Sequence, residues 1–339
     1  MGFKVSRRAL VAGVAVAPFV PGIAFAKEIV GKITRFDPAL DALIDVSAPI
    51  EVIAKGYRWA EGPVWVKAGG YLLFSDVPSN LVWQWKPGKA AVKFLEPSGL
   101  AGPIPAAIRE AGANGLAIDA KGNLIIADSG NRCISSLDLK TRQRTVLADR
   151  YDGKRFNSCN DVAVHRNGTI YFTDPPYGLA EGDTSPLKEL RNNGVYRLTP
   201  SGEVHAVDDT LSRPNGVGVS PDHQTLYVSM SDEKRPHILA YPIDVEGAVS
   251  GEPNIFADFS AELAQKLPGL PDGLKVAKSG HLFASGPGGI YVLSPEGKKL
   301  GLIATGKGIA NCAFGEDGRT LFLTSGDMVA KVRLKQSGW

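Results

Sequence analysis

Six segments of this chain share one layout, and that repetition constrains the fold more than any other feature. Each opens on a carboxylate or amide residue, usually followed by Gly or Pro. Each then runs through a short apolar stretch and a tight turn into a second apolar stretch. The openings are Glu61-Gly62-Pro63, Asn114-Gly115-Leu116, Asn160-Asp161-Val162, Asn215-Gly216-Val217, Asp272-Gly273-Leu274 and Asn311-Cys312-Ala313. The second stretches begin at Tyr71, Asn123, Thr169, Thr225, His281 and Thr320, always nine or ten residues later. Between them lie turn pairs such as Gly69-Gly70, Lys121-Gly122 and Asn167-Gly168, residue types that accept positive φ in hairpins. The second stretches, for example Ile170-Tyr171-Phe172 and Leu226-Tyr227-Val228, are β-branched, aromatic or aliphatic.

A third strand follows in every unit and most offer a fourth, so the spacings of 53, 46, 55, 57 and 39 residues between openings fit four-stranded propeller blades. The expectation is an all-β chain, a six-bladed β-propeller over residues 50–339. The last unit lacks room for a fourth strand, whereas a strand-like segment at 50–54 precedes the first. That N-terminal strand is expected to complete blade six and close the ring. Residues 27–49 form an arm outside the repeat, and Asp37-Pro38-Ala39-Leu40-Asp41-Ala42-Leu43-Ile44 is expected to form a short amphipathic helix on the propeller. The 339 residues, 44% of them hydrophobic, supply a large core, and 39 scattered Gly with 23 Pro suit many turns.

At the N-terminus, Lys4, Arg7 and Arg8 precede an apolar run that ends in Ala24-Phe25-Ala26, a small-x-small cleavage pattern. Ser6-Arg7-Arg8-Ala9-Leu10 resembles a twin-arginine export signal, so residues 1–26 are expected to be removed and the mature chain to be periplasmic or secreted. Pro18, Pro21 and Gly22 interrupt a stretch already short for a membrane span, and no membrane anchor is expected after signal removal. Loss of the leader takes 38 basic residues against 35 acidic to 35 against 35. With no basic stripe interleaved with aromatics, nucleic acid is not an expected partner. Cys133, Cys159 and Cys312 form no C-x-x-C pair and are expected to be buried free thiols.

The first strand of each propeller blade lines the central channel, so the openings should form a ring: Glu61, Asn114, Asn160, Asn215, Asp272 and Asn311. Asn-Gly and Asp-Gly are common turn dipeptides when taken singly. Six at equivalent positions instead suggest a ring of oxygen donors, whose two carboxylates repel unless a dication neutralises them. Carboxylate and amide oxygens without inward His or Cys favour calcium first, then magnesium or manganese, then zinc.

Glu61-Gly62-Pro63-Val64-Trp65, Asn157-Ser158-Cys159-Asn160-Asp161-Val162, Thr173-Asp174-Pro175-Pro176-Tyr177-Gly178-Leu179, Arg213-Pro214-Asn215-Gly216 and Pro271-Asp272-Gly273 occur in order along the chain. In these motifs it resembles the senescence marker protein, gluconolactonase and luciferin-regenerating family. The resemblance implies a six-bladed propeller with a calcium-type site and hydrolysis of a small-molecule lactone. It also implies that Glu61, Asn160, Asn215 and Asp272 are the metal ligands. Asn114 is assigned to the pocket more readily than Asn311. Two departures stand out: many gluconolactonase-like members carry His where Ser129 follows Asp128, and Pro where Cys159 precedes Asn160.

The expected reaction is metal-assisted attack of water on a sugar lactone such as gluconolactone, with Asp272 as the catalytic group. Asp272 as nucleophile or as plain ligand stays open, because a carboxylate on a dication is a weak base. Asn114, Asn160, Arg155 and Tyr177 are expected to contact substrate, the last from a long blade-three loop at 175–193 that would roof the pocket. The same Glu, Asn, Asn, Asp set would serve an organophosphate hydrolase, and a propeller without activity would be a binding module. No G-x-S-x-G, H-E-x-x-H or G-x-G-x-x-G motif is present, and residues 301–308 miss a P-loop because Gly308 replaces the required Ser or Thr.

Overall fold

In the computed structural model of the protein, residues 28–339 are described, and the expected leader at 1–26 lies outside them. Five sheets follow the chain in order, each running outward from an inner strand: Ala60–Val66, Ala113–Ile118, Val162–Val164, Pro214–Val219 and Leu274–Val276. The sixth begins at Asn311–Gly315 and ends on Glu51–Lys55, which pairs antiparallel with Met328–Arg333 in the register Glu51↔Lys331 and Lys55↔Met328. The ring is therefore closed by the N-terminal strand, which covers an edge that would otherwise present unpaired N–H and C=O groups.

The propeller has no single core. Each gap between neighbouring blades has its own apolar cluster, because both faces of every sheet are covered. Val66, Leu73 and Val82 of blade one meet Leu116, Leu124 and Ile126 of blade two. Trp65 and Phe74 meet Phe322 and Val329 of blade six, with Trp65 and Phe322 stacked at 5.6 Å between ring centroids. This is why the second strands read as unbroken apolar runs rather than as alternating ones. Cys133, Cys159 and Cys312 are buried free thiols within these layers.

The arm is more firmly attached than its sequence suggests. Lys32–Arg35 adds a fifth strand to blade five, with Ile33 opposite Ile303. The helix expected after it is a single 3-10 turn, Pro38–Ala42, capped by the Asp37 carboxylate accepting from Ala39 N at 2.8 Å. Leu40, Leu43 and Ile44 are buried against the blade-five and blade-six cluster, and Gly301 leaves the room for Leu40: a Cβ there would lie 2.5 Å from Leu40 Cδ2. Among the described residues no helix is long and apolar enough to cross a membrane.

A candidate active site at one mouth of the channel

The Gly that follows most ring residues is needed for close approach between blades, not for a hairpin turn. A Cβ on Gly62 would lie 2.0 Å from Asn114 O, one on Gly216 2.1 Å from Asp272 O, and one on Gly273 1.9 Å from Asn311 Cγ. Only Gly62 of these three also has positive φ, at 52°. Hydroxyls on or just beyond the second strands staple the ring from outside. Ser75 Oγ donates to Asn114 O at 2.7 Å, Thr173 Oγ1 to Asn215 O at 2.6 Å and Ser231 Oγ to Pro271 O at 2.5 Å. Ser129, buried, donates to Cys159 O at 2.8 Å and belongs to this series rather than to the pocket. Inner strands drawn together in this way aim their first side chains at one mouth.

That mouth is a cavity of about 530 Å³ whose floor carries Glu61, Asn114, Asn160, Asn215 and Asp272. Glu61 and the three Asn are buried among the protein's own atoms, at 4 to 6% exposure. Asn311, the sixth ring position, turns beneath the floor and does not line the cavity. Its Oδ1 accepts from Cys312 N at 2.9 Å and from Lys275 Nζ at 3.3 Å.

Asn160 and Tyr177 are set by one hydrogen-bonded unit made of two of the sequence motifs. Asp174 accepts from Asn157 N at 2.7 Å and Ser158 N at 2.8 Å. Ser158 Oγ donates to Pro175 O at 2.6 Å and accepts from Gly178 N at 2.9 Å. Tyr177 thus reaches the cavity wall. Arg155 does not. It sits in the Arg150–Tyr151 and Lys154–Arg155 hairpin, where its Nη2 donates to Asn131 O at 2.6 Å and its backbone N to Glu189 at 2.8 Å. The expected contact of Arg155 with substrate is therefore corrected: the loop carbonyl beside blade two captures its guanidinium.

The blade-three loop does not roof the pocket alone. Gly178 O accepts from Arg109 N at 2.8 Å and Glu110 N at 3.2 Å, and Leu179 packs with Ile108 and Ala111, so it forms one wall with the connection between blades one and two. Arg109 and Glu110, paired at 3.6 Å, face the cavity from that wall. Facing it from blades one and five are Trp59 and Leu263, Leu267 and Leu270. None of these six was read from the sequence, since all lie in connections outside the repeat.

Asp161 was also unassigned. It is 2% exposed and lies under the floor, accepting from Val162 N at 2.9 Å, Val217 N at 3.3 Å and Asn311 Nδ2 at 3.5 Å. Burial, then the Asp161 charge, pushes the Glu61 carboxyl up to about 8. Asp272 is held well above the usual carboxylate range by burial and by Glu61 and Asp161. Burial likewise raises Glu110, with Arg109 opposing.

Among the described residues no group of three or more His, Cys, Asp and Glu forms a metal cage by itself. A cation at the floor would draw on amide oxygens as well as Glu61 and Asp272. Two observations fit one. The Asn215 amide donates through Nδ2 to Ser231 Oγ at 2.9 Å, while its buried Oδ1 has no partner. When ionised, Glu61, Asp161 and Asp272 against the single ammonium of Lys275 leave a formal charge of −2 in and under the floor, the complement of a dication.

Fold and pocket together define a six-bladed propeller with an oxygen-lined cavity at one mouth of its channel. Residues 59–327 match the SMP-30/Gluconolactonase/LRE-like region, and the chain belongs to that family. It is 50% identical over 313 residues to a gluconolactonase of Zymomonas mobilis, covering 91% of this chain and 88% of that one. A gluconolactonase structure from Xanthomonas campestris superposes with a TM-score of 0.78 at 32% identity, over 94% of this chain and 99% of that one. The fold is shared with regucalcin of Agrobacterium tumefaciens, a calcium-binding protein, at a TM-score of 0.65 and 18% identity, over 82% and 92% of the two chains.

Proposed function

We propose that this protein is a lactonase that opens a sugar lactone such as gluconolactone by attack of water. The convergence of Asp272 and Glu61 with Asn114, Asn160 and Asn215 on one cavity floor carries this reading, and the 50% identity to a gluconolactonase over nearly the whole chain supports it.

Glu61, Asn160, Asn215 and Asp272 would hold a divalent cation, calcium by donor chemistry and by likeness to a calcium-binding regucalcin. Bound there, it would polarise the lactone carbonyl and keep both carboxylates ionised. Asp272 takes the proton as water oxygen bonds to the carbonyl carbon, and returns it to the ring oxygen as the C–O bond breaks. The product is the open hydroxy acid. Asn114 and Asn160 offer amide N–H groups to substrate oxygens, and Tyr177 covers the ring.

We also infer that residues 1–26 direct export to the periplasm or beyond. The test of the reaction is a pH-stat assay on glucono-δ-lactone with a phosphotriester in parallel, alongside metal analysis of protein purified without chelator. Proton release from the lactone alone is expected; turnover of the phosphotriester alone would replace this reading with the organophosphate one.

A further inference from the structure

The cavity has two kinds of wall. On the side of blades two and three it is polar, with Arg109 and Glu110 above the amide and carboxylate floor. Around blades five and one it is apolar, bordered by Ser231 and Glu233 of blade four. Leu263, Leu267 and Leu270 line it from the connection into blade five, and Trp59 lines it from blade one, while blade six, which lies between those two blades, supplies no lining side chain. Trp59 and Leu267 remain 40% and 37% exposed. Apolar side chains scattered singly over a surface need no explanation, but several gathered in one concave mouth are an unfilled contact surface.

The exposure is built into the fold. Phe259, fully buried, donates its N–H to Pro236 O at 3.0 Å and accepts from Leu263 N at 2.9 Å. Pro268 O accepts from Gly288 N at 2.8 Å, and a Cβ on Gly288 would meet Leu267 Cδ1 at 3.1 Å. Lys299 Nζ donates to Asp258 O at 2.7 Å and to Glu262 at 2.5 Å, which ties down the short Ser260–Leu263 helix. Opposite, Trp59 N donates to Asp76 at 3.1 Å. A segment anchored at this many points holds its leucines toward the pocket, not away from it.

A sugar lactone is hydroxylated around its ring and has nothing to place on such a wall. We propose that the leucine and tryptophan side of the pocket is a subsite for an alkyl or aryl substituent on the lactone, and that the protein accepts lactones with an apolar arm on the carbon that bears the ring oxygen as well as sugar lactones. This rests on the lactonase reading. The floor handles the ester group common to both substrates, and the arm lies across Leu267 toward blade six.

The test compares glucono-δ-lactone, δ-valerolactone, δ-octalactone and δ-decalactone with the full chain, by kcat/KM and by calorimetric titration. Burial of each added methylene is expected to raise kcat/KM by about two- to fourfold, so the decalactone, with its pentyl chain, should exceed the valerolactone by about thirtyfold or more. Leu267→Asp puts a charge on the wall. It is expected to lower the ratio of decalactone to gluconolactone rates by about tenfold or more, and Leu267→Met to preserve the ratio. No gain with chain length in either rate or binding, or a gain that Leu267→Asp leaves intact, would overturn the subsite. Binding that tightens with chain length while no lactone is hydrolysed would retain the subsite and overturn the lactonase reading.

Discussion

Ser231 fixes which end of the Asn215 amide faces the pocket: its Oγ accepts from Asn215 Nδ2 at 2.9 Å, leaving Oδ1 buried and free. The same hydroxyl donates to Pro271 O at 2.5 Å, immediately before Asp272. One side chain outside the donor set thus positions two members of it. Ser231→Ala is expected to lower kcat/KM on glucono-δ-lactone by about tenfold, the worth of one buried hydrogen bond, and to raise the calcium concentration needed for half-activity. Steady-state rates across a calcium titration check this, and parent-like behaviour would remove Ser231 from the site.

The raised Glu61 carboxyl gives metal-free protein a specific pH dependence. Its folded value of about 8 lies above the ordinary 4.5, so the folded state binds the extra proton across that interval. Stability from this group is fully present below about pH 4.5 and is lost as pH rises through 8. Chelator-treated protein should therefore show a Tm that falls from pH 5 to pH 8, and saturating calcium should flatten the slope by favouring the ionised form. Glu61→Gln should weaken the slope without calcium.

Much of this was legible in the sequence, for identifiable reasons. The strand spacings reveal blades because each repeats the same hairpin, and the ring residues reveal the floor because they repeat with it. Asp161 escaped notice because it follows a ring residue and alternation alone would turn it away. The signal was its place in the repeat: blade three has Asp where blades one, two, four and five have Gly62, Gly115, Gly216 and Gly273. Its carboxylate occupies the space that Gly115 leaves, where a Cβ would be 2.5 Å from Asp161 Oδ1. Arg109, Glu110 and the three leucines sit in connections that differ from blade to blade, so no periodicity marks them. The position of Arg155 is not legible because distance along the chain from Asn160 says nothing of the hairpin that carries its guanidinium to the Asn131 carbonyl.

The arm and the closing strand should differ in consequence. A chain beginning at residue 45 should remain soluble but melt at lower temperature, since it uncovers the cluster that Leu40, Leu43 and Ile44 seal. A chain beginning at residue 58 should be insoluble, because Met328–Arg333 becomes an unpaired edge. Solubility and thermal melts of the two truncations check this. Equal behaviour would argue against closure as the decisive feature.

Export can be tested separately from the fold. Replacing Arg7 and Arg8 with Lys-Lys should retain unprocessed precursor in the cytoplasm, and normal delivery by fractionation would rule out the twin-arginine reading.

The most direct measurement is kcat/KM on glucono-δ-lactone across a calcium titration for the parent, Asp272→Asn and Glu61→Gln. Asp272→Asn keeps size and one oxygen but removes the base, and activity is expected to fall by about 100-fold or more at every calcium concentration. Glu61→Gln removes charge from the floor and should be rescued in part by excess calcium. Full and equal rescue of both would reduce Asp272 to a ligand, and undiminished activity in both would contradict catalysis at the channel mouth altogether.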